Sequence, residues 1–336
     1  MKHIELPGAE LSVAVVGLGT GSYGTAIAED AAFELMDLYV EHGGNLLDTA
    51  HVYAAWVEGG WGASERTIGK WLAASGTRRD LILATKGAHH DIRTYQKRVS
   101  RRAIRQDLHE SLERLASDHV DLYWLHRDDA DVPVGEVLGW LNEHVAAGLI
   151  RAIGCSNWSV ARQRDAAACA KAHGLVGFCA SQVRWSLADF HLPPGDSGSG
   201  MVAMDACAFA YHCQTRVPVV AYSPQARGFF SGKYAAGAGP AAPGARQDVL
   251  VQYGTEANFR RLAAAQQLAA ARGCSANQVA LAWLFHQPFA ICALSGARTP
   301  EQLADSCAAA DLTLSQADMA HLARSADPAS EPPPQK

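Results

Sequence analysis

The feature that most constrains this chain is an alternation. Short apolar runs give way to longer amphipathic runs, and the pattern repeats eight times. The strand candidates are 13–18, 45–48, 81–85, 120–125, 150–155, 177–181, 217–221 and 290–294. Helical periodicity follows each of them, over 29–42, 64–74, 99–116, 134–147, 160–173, 203–214, 255–287 and 300–309, with a further helix expected after Leu314. Strands separated by helical runs imply parallel strands joined by crossover helices. Several strands are apolar on both faces, as a covered parallel sheet requires. Eight such units predict a single (β/α)8 TIM barrel. The segment 3–12 is expected to form an N-terminal β-hairpin under the barrel. Residues 189–200 and 228–254 are rich in Gly, Ala and Pro and read as long loops. The barrel domain is assigned to 1–326, and 327–336 (DPASEPPPQK) to a disordered tail.

Composition excludes several classes. With 49% apolar and 19% charged residues, the 336-residue chain can bury a large core. Its net charge of −5 offers no basic footprint for nucleic acid. The Arg-rich run from Arg98 to Arg105 sits on a predicted helix and reads as a solvated face. No run approaches the ~18 apolar residues of a membrane span. The N-terminus, with Glu5, Pro7 and Glu10, reads poorly as a signal peptide. Eight cysteines occur without a CxxC and mostly in apolar runs, which suggests reduced thiols and a cytoplasmic location. Cys155 reads as a buried filler.

In such a barrel, chemistry belongs to the C-terminal ends of the strands. Gly19, Thr20 and Gly21 follow the first. Asp48 ends the second, with Tyr53 five residues on. Lys86 follows the third, His126 the fourth, Ser156 and Asn157 the fifth and Gln182 the sixth. Tyr222 and Ser223 follow the seventh, and Ser295, Gly296 and Arg298 the eighth. A purely structural sheet has no reason to place a polar or aromatic group at the same end of every strand. An ammonium beside a phenol favours the ionised phenol, and a carboxylate can hold that ammonium in place. Asp48, Lys86 and Tyr53 therefore make a tunable proton donor, and His126 can hydrogen-bond a carbonyl oxygen from a second direction. Such a site suits reduction of a carbonyl or oxidation of an alcohol, with hydride from a cofactor and no metal. Tyr222 can stack on a flat ring, and Ser156, Asn157 and Gln182 match a carboxamide's donors and acceptors.

Two other readings are weaker. Gly19 to Gly24 matches GxGxxG after a strand, as in a doubly wound dinucleotide domain. A helix should then open at the last Gly, but helical periodicity begins only near Glu29. His89, His90 and Asp91 are the densest metal-ligand cluster, yet no HxH or HExxH occurs, so they read as loop residues and no metal is expected. His51 reads as a packing or solvated side chain.

The residues resemble those of the aldo-keto reductase family. The resemblance is carried by GLGTGSYG (17–24), NLLDTAHVY (45–53), ASERTIGKWL (63–72), ILATKGA (82–88), VDLYWLHRDD (120–129), IRAIGCSNWS (150–159), SQVRWSL (181–187), VVAYSPQARGFFSGKY (219–234) and LSGARTPEQLADS (294–306), and runs from about residue 11 to about 325. It implies a catalytic tetrad of Asp48, Tyr53, Lys86 and His126, with Tyr53 as general acid, its pKa lowered by Lys86, and a neutral His126 orienting the substrate. It implies NADPH as cofactor. The nicotinamide contacts carry over to Ser156, Asn157, Gln182 and Tyr222, and the diphosphate loop to Ser223, Gly228 and Lys233. The adenosine phosphate site carries over to Gly296, Arg298, Gln302 and Asp305, with Gly19, Thr20 and Asp48 lining the cofactor. Two positions depart from the family's habit: Ser295 stands where Pro is usual, and Ser306 where Asn is usual.

The loop 54–63 is longer than in the simplest members and brings Trp56 and Trp61 near the site, Trp56 as a substrate contact beside Tyr53 and His126. The variable loops show no charge cluster for a phosphate, so a sugar, a sugar-derived carbonyl or a generic aldehyde is expected as the small-molecule partner. A homo-oligomer is left open. The alternative is a nucleotide-holding regulatory protein resembling potassium-channel β-subunits.

Overall fold

The structure, a computed structural model, describes residues 1–192, 200–237 and 244–324. The chain opens with β1 (His3–Leu6) and β2 (Leu11–Ala14), an antiparallel hairpin. The barrel units follow in order: β3 (Val16–Gly19) and α1 (Glu29–Glu41), β4 (Leu46–Asp48) and α2 (Ala63–Ser75), β5 (Ile82–Gly87) and α3 (Arg101–Leu115), β6 (Val120–Leu125) and α4 (Val134–Ala146). Then come β7 (Ile150–Ser156) and α5 (Val160–His173), β8 (Phe178–Arg184) and α6 (Ala206–Thr215), and β9 (Val219–Tyr222) with α7 (Gln247–Tyr253), α8 (Glu256–Arg272) and α9 (Ala276–Phe285). Last are β10 (Ile291–Ser295), α10 (Pro300–Ala308) and α11 (Gln316–Arg324). The eight strands β3 to β10 are parallel and close on themselves, β10 pairing with both β3 and β9.

The barrel interior is filled rather than open. Leu46, Ile82, Leu122, Trp124, Ala180 and Val220 pack inside it, and Leu6, Leu11 and Val13 of the hairpin close its lower end. This corrects the reading of 13–18 as one strand. The apolar run is shared: Val13 and Ala14 belong to the hairpin, and only Val16 onward enters the barrel. Apolar periodicity alone cannot separate two consecutive buried strands. The outer layer is a continuous core between helices and strands, with Met36, Ile68, Ile104, Leu141 and Leu303 facing inward.

One further expectation is adjusted. The segment 228–254 is not wholly loop, because α7 lies within it. Val249 and Tyr253, one turn apart, bury against the Phe229 cluster. A helix of seven residues flanked by Gly and Ala gives too short a periodic signal to stand out. The helices expected across 255–287 are two, divided where Gly273 caps α8 in the left-handed conformation and Ser275 caps α9. Parts of the long loops, and the tail 327–336, lie outside the described residues. Among the described residues no helix is long and apolar enough to cross a membrane.

Candidate active site

Three neighbouring strand ends meet at the barrel mouth. Asp48 is the last residue of β4, Lys86 lies near the end of β5, and His126 follows β6 directly. Tyr53 comes in on the turn after β4. Lys86 is enclosed, and its ammonium binds an Asp48 carboxylate oxygen, the Thr49 carbonyl at 2.7 Å and the Tyr53 hydroxyl at 3.0 Å. The other Asp48 oxygen accepts from the Gln182 amide at 2.9 Å. Asp48 is further fixed from behind, since its backbone carbonyl accepts from both the amide and the hydroxyl of Thr20. The Thr20 hydroxyl also meets Ser64, which bridges to Thr49. Thr20, expected to line the cofactor, is fully buried in this hydroxyl network and braces Asp48.

Burial sets the protonation states. It pulls the Lys86 ammonium down, but Asp48 and Tyr53 more than restore it, so the group is held charged. Burial pushes the Asp48 carboxyl up, against the pull of Lys86. Burial also raises the Tyr53 phenol, and the lowering by Lys86 does not outweigh it. The lowering expected from Lys86 is present, and burial overrides it. The phenol keeps its proton at neutral pH, as a proton donor must. His126 is driven well below the usual histidine range by burial and by His89 and Arg127, so its ring is neutral. It stands edge-on to Tyr53 with centroids 6.0 Å apart, and to His89 at 4.6 Å. Its Nδ1 has no hydrogen-bond partner among the described residues.

The carboxamide set is assembled and mutually engaged. Ser156 donates to the Gln182 carbonyl and accepts from the Asn157 amide at 2.9 Å. The Asn157 side-chain oxygen accepts from the Tyr222 hydroxyl at 2.8 Å and from the Val202 amide at 2.9 Å. Asn157 and Ser223, each just past a strand end, have left-handed φ of 60° and 52°. Such backbone strain in non-glycine residues collects where a site must be shaped. Gly228 also has a positive φ, within the turn that leads to exposed Lys233.

After β10, Gly296 and Arg298 are exposed. Thr299 caps α10, and Gln302 accepts from the Arg298 amide at 3.0 Å. Asp305 is engaged elsewhere, for both its oxygens accept amide protons from Asn277 and Gln278 of α9. The two departures from the family's habit meet at one amide. Gln225 donates to Ser306 at 3.1 Å and accepts from Ser295 at 3.5 Å.

Trp56 is 61% exposed and edge-on to Tyr53 at 6.2 Å, while Trp61 packs its edge on His51 at 5.4 Å. His51 is buried and donates from Nε2 to a Glu110 carboxylate oxygen at 2.8 Å. Cys155 is buried, its thiol pushed up to about 12 by burial, and so is inert. Sequence reasoning missed Arg127 and Arg184, two guanidiniums at the same mouth. Their signal was position: one directly follows His126, and the other stands two residues beyond Gln182 on the same strand.

Residues 15–327 match the profile of the Aldo/keto reductase family. The chain is 31% identical to Protein tas of Escherichia coli (strain K12) over 96% of both chains. It is 30% identical to the uncharacterized oxidoreductase YrpG of Bacillus subtilis (strain 168), over 94% of this chain and 92% of that one. It is 29% identical to the norsolorinic acid reductase stcV of Emericella nidulans, over 88% of this chain and 74% of the other. The crystal structure of the thermostable aldo-keto reductase Tm1743 with the inhibitor epalrestat superposes with a TM-score of 0.72, covering 97% of this chain and 100% of that one at 24% identity, a likeness of fold.

Proposed function

The chain belongs to the aldo/keto reductase family, and from that premise we propose that it is an NADPH-dependent oxidoreductase that reversibly reduces an aldehyde or ketone to an alcohol. The observation that supports this best is the buried Asp48–Lys86–Tyr53 chain beside a neutral His126.

The residues present fit the cofactor. Ser156, Asn157 and Gln182 suit its carboxamide, and the half-buried Tyr222 ring at a strand end suits stacking. The Ser223 to Lys233 segment suits the diphosphate. Arg298, exposed and without a carboxylate partner among the described residues, suits a 2′-phosphate. When bound, reduced nicotinamide supplies a hydride.

The protein's own part is proton handling. Tyr53 Oη gives its proton to the carbonyl oxygen as negative charge grows there. Lys86, its ammonium 3.0 Å from Tyr53 Oη, stabilises the phenolate left behind. Asp48 keeps Lys86 charged and aimed. His126, uncharged, orients the carbonyl without competing for the proton. In the oxidation direction Tyr53 takes the proton back.

The test is NADPH consumption across a panel of aldehydes. Tyr53→Phe should lower the rate by about 10²- to 10⁴-fold while keeping the NADPH dissociation constant. Wild-type turnover surviving in that variant would remove Tyr53 as the acid. Tight NADPH binding with no turnover on any aldehyde would favour the nucleotide-holding reading.

A further inference from the structure

Arg127 and Arg184 are placed where a structural role does not account for them. Arg184 ends β8 and is 9% exposed. Side chains two apart on a strand share a face. Gln182 reaches inward to Asp48, so Arg184 stands above the same interior. Its guanidinium lies 4.0 Å from the Phe190 ring and 5.4 Å from the Tyr222 ring, which hold it flat. One nitrogen donates to the Met201 sulfur at 3.3 Å, while Nε and Nη1 have no partner among the described residues. The Tyr222 hydroxyl gives its proton to Asn157, and both the Tyr222 and Tyr253 phenols lie close enough to feel the Arg184 charge. Arg127 gives one nitrogen to the His126 carbonyl at 2.9 Å and leaves Nε unpartnered. Its charge is felt by Tyr53, Tyr222 and Arg184.

Among the described residues no carboxylate pairs with either guanidinium. The nearest in sequence are already engaged, Asp128 by Arg162 and Asp129 by Lys97. Two neighbouring cations with three unmet buried donors are costly unless an anion completes them. Guanidiniums match carboxylate and phosphate oxygens in pairs. The barrel order decides whose anion. β6, which delivers Arg127, lies diametrically across the barrel from β10, which delivers Arg298. Arg127 thus stands with His126 and Tyr53, away from the proposed adenosine phosphate site.

We propose that Arg127 and Arg184 form the anion subsite of the substrate, so that the carbonyl compound carries a carboxylate or phosphate held there while its carbonyl oxygen meets Tyr53 and His126. This rests on the reductase reading and names its substrate class. It also replaces the expectation, drawn from the loops alone, of a substrate site without charge. The charge comes from strand ends.

The experiment uses enzyme saturated with NADPH and two matched pairs: para-carboxybenzaldehyde with its methyl ester, and glyceraldehyde phosphate with glyceraldehyde. Each pair shares a carbonyl and differs in charge. The anionic member of at least one pair should win in kcat/KM by about tenfold or more, mainly through KM, and the winning pair tells carboxylate from phosphate. Arg184→Gln and Arg127→Gln should each bring that ratio towards one. A second readout needs no turnover: benzoate and inorganic phosphate are titrated into the NADP⁺-saturated protein by calorimetry. At least one should bind wild type and bind each variant about tenfold more weakly. Arg184→Gln should unfold no earlier than wild type on heating, since it removes an unpaired buried charge.

A wild-type ratio near one in both pairs overturns the proposal. So does a tenfold rise in the NADPH dissociation constant of Arg184→Gln with the ratio unmoved, which would give these donors to the cofactor's diphosphate. If no aldehyde is reduced but the anion binds wild type and not the variants, the subsite stands and the reductase reading falls.

Discussion

Lys86 shows how little a single side chain does alone at this site. It is a cation in a fully buried place, and it stays charged because Asp48, the Thr49 carbonyl and Tyr53 surround it. Asp48, Tyr53, Lys86 and His126 were legible as a group because each lies at a strand end or in the loop just after one. What the sequence did not show was the balance of burial against Lys86 at Tyr53, which depends on how completely the phenol is enclosed. His89 makes a measurable case of the same balance. Burial lowers its pKa from 6.5 to about 4, with Arg127 acting in the same direction. The unfolded chain therefore takes up a proton that the folded protein refuses as pH falls from 6.5 towards 4. Stability is unaffected above that window and is lost within it. The difference corresponds to at most about 3 kcal/mol. Urea unfolding at neutral and mildly acidic pH should show wild type losing more stability than His89→Gln. Arg298 belongs to this scale too. Arg298→Ala should raise the NADPH dissociation constant by about tenfold or more and that for NADH far less, read by fluorescence titration, since only the former has the phosphate. Equal effects on both would remove its phosphate role.

At the scale of the element, the site depends on strands that end in register. Trp124 on β6 pairs with Gly154 on β7. A Cβ at Gly154 would lie 2.3 Å from the Trp124 ring. Glycine is needed there for space, and Trp124 in turn fills the barrel beneath the site. Gly154→Ala should cost about 1–3 kcal/mol and lower the thermal midpoint by several degrees, measured by calorimetry. A midpoint equal to wild type would show that the ring can move aside. Helix positions were readable from periodicity and caps. Ser100, Ser159, Thr255, Ser275 and Thr299 each cap a helix with a side-chain hydrogen bond. Short elements were not so readable. The hairpin strand β2 merged with β3, and α7 was hidden in a loop, because what defines them is the surface they bury against.

Across the whole molecule, chemistry and stability sit at opposite ends of the barrel. Asp121, near the start of β6, is 1% exposed. It binds Arg78 at 2.8 Å, Arg151 at 2.6 Å and the Leu83 amide at 2.9 Å, tying strands at the lower end. Asp121→Asn keeps the shape but leaves Arg78 and Arg151 without their counter-charge. It should cost about 2–3 kcal/mol, discounted because both arginines are partly exposed, with kcat of the folded enzyme unchanged. A reduced kcat would show that the two ends are coupled.

The sequence by itself determined the barrel and which polar residues gather at its mouth. Eight strand–helix units can close in few ways, and each unit carries its own polar residue at its own strand end. Both are local facts repeated along the chain. Only the tertiary structure decided which of those polar groups are already satisfied. Thr20 and Asp305 turned out to be engaged by neighbours far away in sequence, while Arg127 and Arg184 were left with open donors. Whether a donor is met depends on residues brought together by closure of the barrel, and no local pattern records that.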